Sequence, residues 1–310
     1  MVSWRLFRIT GCNDLNIAIV RTAARLNVRL GRLLTTAFLC LLATAPQAAL
    51  ELRNAERHVL DNGMTVILLE DRNFPVASVQ MVYKVGARNE VTGKTGLAHF
   101  LEHMAFRATR AFPDTEVVSR IYAAGGEWHG YTWTDQTTYF ATAPKTELDL
   151  LLQIEAERME YLEIDPAFIE AERGAVLAEM HMYENYPSSM LVDALMFTSF
   201  LAHPYRNNTI GWESDINSVT HQDVVDFYEA HYHPANAVLA VVGDFDTAAV
   251  RERIEALFGN FRQRPATPLP HTIEPAQQGE RRVVVRAPRV SRRWLTRRLP
   301  RLKPRGTSVR

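Results

Sequence analysis

Apolar and polar residues alternate one by one along residues 76–86, and this two-residue period predicts a half-buried β-strand. Two further strands are predicted within residues 58–71, joined by the hairpin signal Asp61-Asn62-Gly63. Residues 131–143 are rich in Thr, Tyr, Trp and Phe, which favours one more strand, and residues 236–246 predict a buried one. The alternating strand places its apolar side chains on one face: Ala77, Val79, Met81, Tyr83 and Val85.

A helical period of 3.6 residues marks the other segments. One helix is predicted to begin at Pro166, after the cap Asp165, and to end at Tyr186-Pro187. Strands and helices alternate irregularly, which predicts an α+β fold: a mostly antiparallel sheet flanked by helices, in a single domain over residues 50–286. The remaining predicted helices cover residues 113–126, 146–162, 191–201, 220–231 and 247–261.

The segment GLAHFLEHMAF, residues 96–106, is read as a buried helix, yet it carries His99, Glu102 and His103. A polar group removed from water without a partner costs several kcal/mol, and a bare charge costs more. Either neighbouring side chains or a metal ion must therefore satisfy these three residues.

The spacing of the three residues is that of a hydrolytic zinc site. His99 and His103 are one helical turn apart and share a face, with Glu102 beside them. Two histidines and a carboxylate, with one position left for water, form such a site, and H-x-x-E-H is the reversed form of the commoner zinc-protease motif. The pattern arises by chance in about one chain in fifty, so it needs a third ligand.

The helix that begins at Pro166 offers that ligand. Glu172 and Glu179 are two turns apart and interrupt an apolar stripe that is predicted to face inward, formed by Phe168, Val176 and Tyr183. A zinc ion would satisfy one glutamate, and the other would orient a ligating imidazole. The alternative is that Glu172 pairs with an arginine and that both histidines are hydrogen-bonded core residues.

The formal net charge is zero, but the charges are segregated. Residues 50–279 hold 17 basic and 33 acidic residues, whereas residues 281–310 hold 12 basic residues and no acid. A basic tail is compatible with nucleic-acid binding, but an exported protein seldom meets nucleic acid, so no such partner is expected. Residues 287–310 are expected to be an unstructured end or the product of a truncation or frameshift.

The first 49 residues have the features of an export signal. Arg29 and Arg32 precede an apolar run that is too short to span a bilayer, and small residues follow it. We therefore predict an exported, periplasmic protein, with an uncleaved membrane anchor as the alternative. Both cysteines, Cys12 and Cys40, fall in this leader, so a metal site in residues 50–286 must use His, Asp and Glu.

Four sequence blocks in one order resemble the pitrilysin/insulinase family of zinc metallopeptidases, which includes the mitochondrial processing peptidases. The blocks are HFLEHMAFRATRAFP, GGEWHGYTWTDQTTYF, ERGAVLAEM and a long block that starts at HPYRNNTIGWESDINS. The resemblance covers about residues 52–286. It implies that His99, His103 and Glu179 bind one Zn²⁺ per chain, that Glu102 is the general base, and that Glu172 is the accessory glutamate.

The resemblance also implies the substrate and the partner. Residues 128–140 resemble the edge strand that pairs with an extended, unfolded peptide, which places Thr132, Thr138 and Tyr139 near the substrate. His129 stands where the family has an Asn close to the scissile bond; it is either a plain substitution or an adventitious metal ligand. Family members carry a second, related domain or subunit, so such a partner is expected.

Three functions stay open on the sequence. The leading hypothesis is a zinc endopeptidase that cleaves peptides or unfolded polypeptides. The second is a truncated or non-catalytic subunit of the family, which binds a partner or a peptide without cutting it. The third is an iron oxygenase with two histidines and one carboxylate, although such a site has no use for a general-base glutamate within the ligand helix.

Overall fold

A six-stranded, mostly antiparallel sheet organises the chain in a computed structural model that describes residues 54–114, 116–265, 267 and 270–286. The strand order is β1-β2-β8-β3-β6-β5, and only β2 and β8 run parallel. Strands β4 and β7 form a separate pair. The strands are β1 (Glu56–Val59), β2 (Thr65–Glu70), β3 (Val76–Tyr83), β4 (Ala108–Thr109), β5 (Glu127–Thr132), β6 (Thr137–Pro144), β7 (Leu162–Glu163) and β8 (Ala237–Gly243).

Helices supply the other side of the core. The predicted alternation of β3 is confirmed, because Ala77, Val79, Met81 and Tyr83 on one face of the strand are buried, as is Val85 just after it. These five side chains belong to one core cluster with residues of the helices, such as Phe100, Leu151 and Ile254. The mostly antiparallel sheet flanked by helices is also confirmed. The helices are α1 (Leu97–Met104), α2 (Glu116–Ala123), α3 (Leu148–Glu160), α4 (Pro166–Glu184), α5 (Pro187–Ser199), α6 (Glu213–Ser218), α7 (His221–His231) and α8 (Thr247–Phe258).

The single strand predicted for residues 131–143 is wrong. The chain turns back between Trp133 and Gln136, whose backbone groups are joined by a 2.7 Å hydrogen bond, and forms the hairpin β5–β6. Asp135 stabilises this turn through contacts with Arg88 at 2.7 Å and the Tyr205 hydroxyl at 2.8 Å, which no local pattern reveals. Of these two strands, therefore, only β5 lies at an edge of the sheet, and β6 lies inside it.

The predicted leader and tail, residues 1–49 and 287–310, lie outside the described residues. Within the described part of the chain, no helix combines the length and the apolar character that crossing a bilayer requires.

Candidate metal centre

Helix α1 starts at a glycine for a steric reason. Gly96 has a left-handed backbone conformation with φ of 83°, and a β-carbon there would lie 2.4 Å from the carbonyl oxygen of Ile210. A glycine has no side chain with which to cap the helix. The buried carboxylate of Glu90 does so instead, accepting hydrogen bonds from the N–H groups of Gly96 at 2.8 Å and Ala98 at 2.9 Å. Burial raises the pKa of Glu90 to about 8.

We expect Glu90→Ala to destabilise the protein, because two buried N–H groups lose their acceptor. Each unsatisfied group costs about 1–3 kcal/mol, so the free energy of unfolding, measured by urea denaturation, should fall by roughly 2–6 kcal/mol. Glu252→Ala, which removes an exposed glutamate from α8, is the matched control. Equal stability of the two variants would contradict the capping role.

The other end of α1 meets a buried positive charge. Arg158, on α3, is 2% exposed, and its Nε donates a 3.2 Å hydrogen bond to the carbonyl of Ala105, directly after α1. Its guanidinium also pairs with Glu155 and lies over the ring of Tyr139, 4.3 Å from the centroid. Glu90 thus satisfies backbone N–H groups at the N-terminus of α1, and Arg158 places a guanidinium at its C-terminus, where the helix dipole favours a positive charge.

His99, His103 and Glu179 are brought together by α1 and α4. They form a group in which one ligand atom from each residue lies within 4.8 Å of the others. Oε2 of Glu179 is 3.5 Å from Nε2 of His99 and 3.3 Å from Nε2 of His103. Hydrogen bonds are shorter, at about 2.7–3.2 Å. Two ligands that are each about 2.1 Å from one tetrahedral zinc ion lie about 3.4 Å apart, so these donors fit such an ion.

Glu172 lies behind His103 and is 3% exposed. Its Oε2 accepts a 3.0 Å hydrogen bond from Nδ1 of His103, and its Oε1 pairs with Arg107. This contact holds a proton of His103 on Nδ1, so Nε2 is the nitrogen that faces Glu179 and that can bind a metal ion once it is deprotonated. The alternative of a Glu172–arginine pair is thus correct as a contact, but the same carboxylate also orients an imidazole.

The ring nitrogens of His99 have fewer hydrogen-bond partners than those of His103. Its Nδ1 is buried and has no hydrogen-bond partner among the described residues. The alternative that both histidines are hydrogen-bonded core residues therefore fails for His99, whose Nε2 is directed at Glu179. An ion held between the two Nε2 atoms and Glu179 would engage Nε2 of His99, which lies 3.5 Å from Oε2 of Glu179, and would leave Nδ1 without a partner.

The two imidazoles have opposite pKa shifts. Burial, together with neighbouring His103, lowers the pKa of His99 to about 4. Burial also disfavours the charged form of His103, but Glu172 and Glu179 outweigh it and raise the pKa of His103 to about 9. The nearby imidazole of His103 lowers the pKa of Glu179. Without an ion, the group therefore holds one imidazolium between two carboxylates at neutral pH.

The side chain of Glu102 points towards β5, where it contacts Thr132. Its side chain is 7% exposed, and Oε2 accepts a 2.6 Å hydrogen bond from the hydroxyl of Thr132. Burial raises the pKa of Glu102, while the hydrogen bond from Thr132 opposes this shift. A carboxyl group with a raised pKa beside a metal centre is suited to exchanging protons near neutral pH.

Two expectations for neighbouring residues need correction. The inward stripe of α4 consists of Ile169, Glu172, Val176 and Met180, whereas Glu179 is half-buried and Tyr183 is exposed. The group thus lies where α4 emerges to solvent. His129 is exposed and stacks on Phe140, outside the metal-binding group, so the adventitious-ligand alternative finds no support among the described residues.

The sequence did not reveal Glu90, Arg107 or Arg158 as site residues. The one available signal was the glycine before α1, because a buried helix that starts at a glycine needs an acceptor from elsewhere. Arg107 and Arg158 gave no signal, because a basic residue in an amphipathic segment normally lies in solvent.

In a comparison with known protein families, two adjacent segments of this chain match family models. Residues 65–212 match insulinase (peptidase family M16), and residues 218–300 match the peptidase M16 inactive domain. The zinc protease PqqE of Helicobacter pylori is 33% identical over 266 residues, which cover 84% of this chain and 60% of that protein. The mitochondrial-processing peptidase subunit beta of Rattus norvegicus is 31% identical, over 64% of this chain and 40% of that one.

Solved structures of proteases also resemble this chain. A protease from Helicobacter pylori superposes with a TM-score of 0.70 at 34% identity, over 73% of this chain and 55% of that one. The first half of the periplasmic protease PqqL from Escherichia coli shares the fold, with a TM-score of 0.65 at 21% identity, over 72% of this chain and 49% of that one. The chain spans roughly half the length of these relatives. Because both adjacent models describe M16 domains, the chain belongs to the insulinase family of M16 peptidases.

Proposed function

We propose that this chain is a zinc-dependent endopeptidase that hydrolyses peptides or unfolded polypeptides. The observation that carries the proposal is the position of one carboxylate oxygen of Glu179, which lies 3.3–3.5 Å from the Nε2 atoms of His99 and His103. Family membership supports zinc as the ion. The related zinc proteases and processing peptidases offer no support for an iron oxygenase.

Each residue of the centre has a distinct part in this proposal. His99, His103 and Glu179 hold one zinc ion, and Glu172 keeps the imidazole of His103 in the ligating tautomer. Zinc, when bound, lowers the pKa of a water molecule and polarises the peptide carbonyl. Glu102 accepts a proton from the attacking water and delivers it to the leaving amine, which its raised pKa favours.

The edge strand β5 is the proposed docking site for the substrate. One side of β5 pairs with β6, and its other side is a free sheet edge within the described part of the chain. An extended peptide can add to such an edge through backbone hydrogen bonds, which selects unfolded chains over folded ones. His129 lies on this strand with its side chain exposed, and we propose that it contacts the substrate.

A second M16 domain or subunit is the proposed partner. The relatives are longer than this chain, and one of them is named as a subunit. Export to the periplasm is proposed from the leader, and a structural neighbour is named as a periplasmic protease. A non-catalytic subunit is the second candidate, because one relative is named as a subunit of a processing peptidase.

A cleavage assay on the full chain separates the two candidates. Zinc is measured by mass spectrometry, and cleavage of a quenched, unfolded peptide is followed with and without chelator. The endopeptidase requires zinc, cleavage and loss of cleavage with chelator; zinc without cleavage would identify the non-catalytic subunit. His103→Ala should lose zinc, whereas His181→Ala, which changes an exposed histidine of α4, should keep it.

Zinc binding is expected to release about one proton at pH 7. The pKa of His103 is about 9 in the metal-free protein, so its imidazole is protonated there and must lose a proton to become a ligand. His99, with a pKa of about 4, is already neutral. Affinity for zinc should thus fall about tenfold per pH unit below 9. Calorimetry in buffers of different ionisation enthalpy measures the proton count, and a count near zero would contradict the prediction.

A further inference from the structure

The carboxylate of Glu102 is held asymmetrically, because its two oxygen atoms have different neighbours. Oε2 accepts the 2.6 Å hydrogen bond from Thr132. Oε1 lies over Gly130, where a β-carbon would come within 3.1 Å of it and within 2.7 Å of the Phe106 ring. Thr132 is the one side chain among the described residues that donates a hydrogen bond to Glu102, and Oε1 keeps contact with solvent.

The hydroxyl of Thr132 has one proton, and its surroundings determine where that proton goes. The hydroxyl oxygen of Thr137 is 3.4 Å away, but Thr137 donates its own proton to the carbonyl of Val85 at 3.0 Å. Thr137 can therefore only accept, and at 3.4 Å it is a poor acceptor compared with a carboxylate at 2.6 Å. The Thr132 proton is thus directed to Oε2.

We propose that Thr132 is a positioning residue for Glu102, which fixes Oε2 so that Oε1 exchanges the proton. One proton passes from water to Oε1 and then from Oε1 to the leaving amine nitrogen, while Oε2 stays hydrogen-bonded throughout. This inference rests on the proposed function. It differs from the substrate contact expected from sequence, because Thr132 is buried and its hydroxyl already donates its proton to Glu102, so it has no proton left for a peptide.

Kinetics of three variants of the full chain test the proposal. Thr132→Val keeps the shape but removes the donor, so kcat should fall by about 10- to 100-fold while KM stays within about twofold. Thr132→Ser keeps the donor and should recover kcat to within about threefold. Thr142→Val is the matched control on β6, since its hydroxyl bonds Ser78 on the other face of the sheet. Zinc content should stay unchanged in all three.

Two kinetic results would overturn the role of Thr132. If Thr132→Val raised KM at unchanged kcat, Thr132 would contact the substrate, as the sequence predicts. If Thr132→Ser were as slow as Thr132→Val, the hydroxyl would not be the group that matters. Infrared difference spectra provide a readout that needs no turnover. The carboxylate band that Glu102→Gln removes should shift in Thr132→Val and not in Thr132→Ser or Thr142→Val. An unshifted band would overturn the proposal, whereas a shifted band in a protein that cleaves nothing would instead overturn the proposed endopeptidase.

Discussion

Glu102→Gln is expected to lower kcat by about 10²- to 10⁴-fold while the protein keeps its zinc. Glutamine has almost the same shape and can still accept the hydrogen bond from Thr132, but its amide cannot take up a proton from water. The three proposed ligands, His99, His103 and Glu179, are unchanged. The loss should therefore appear in the rate and not in the metal content.

Initial rates on an unfolded peptide and zinc determination by mass spectrometry measure the two quantities on the same sample. Glu184→Gln, which changes an exposed glutamate at the end of α4, is the matched control and should behave like the unchanged protein. If Glu102→Gln kept full turnover with bound zinc, another group would have to be the base. If it lost zinc, Glu102 would have a structural role at the centre.

Arg158→Met should lower the free energy of unfolding by about 3–5 kcal/mol. Removing one member of a buried ion pair leaves the other charge without compensation, here the carboxylate of Glu155, which is also buried. The carbonyl of Ala105 loses its guanidinium donor at the same time. Chemical denaturation at neutral pH measures the change, and zinc affinity should decline with it because α1 loses its C-terminal contact.

The double variant Arg158→Met with Glu155→Leu tests the cause. It removes both charges and fills the space with apolar side chains, so it should recover much of the lost stability. If the double variant were no more stable than Arg158→Met alone, the deficit would come from lost packing of the arginine against Tyr139 rather than from an unpaired carboxylate. Arg120→Met, on α2 in an exposed pair with Glu116, is the control and should change stability by less than about 1 kcal/mol.

Local patterns predicted those elements whose cause is local. The alternation of β3, the hairpin β1–β2 and the cap of α4 at Asp165 each depend on residues a few positions apart, and each is confirmed. The turn between β5 and β6 escaped prediction because its anchor, Asp135, binds Arg88 and Tyr205 from distant segments.

In the candidate site, too, local spacing was predictable from the sequence and long-range contacts were not. Helical spacing brought His99, Glu102 and His103 to one place, and two turns of α4 brought Glu172 and Glu179 to one side of a helix. The residues that hold these groups in position were hidden because their contacts are long-range. Arg158 meets Ala105 across 53 residues of sequence, and Thr132 meets Glu102 across 30.

The order of the strands has a consequence for the way this protein matures. Strands β2 and β3 follow each other in the chain but are separated in the sheet by β8, which is made after every other strand in the described part of the chain. A nascent chain that stops before Ala237 must leave a gap between them, and the core against which α1 packs stays incomplete. Assembly therefore waits for contacts of very high sequence separation, which form slowly. His99 and His103 precede β8 by more than a hundred residues. Even so, the core that holds their helix in place is complete only after β8 has been synthesised.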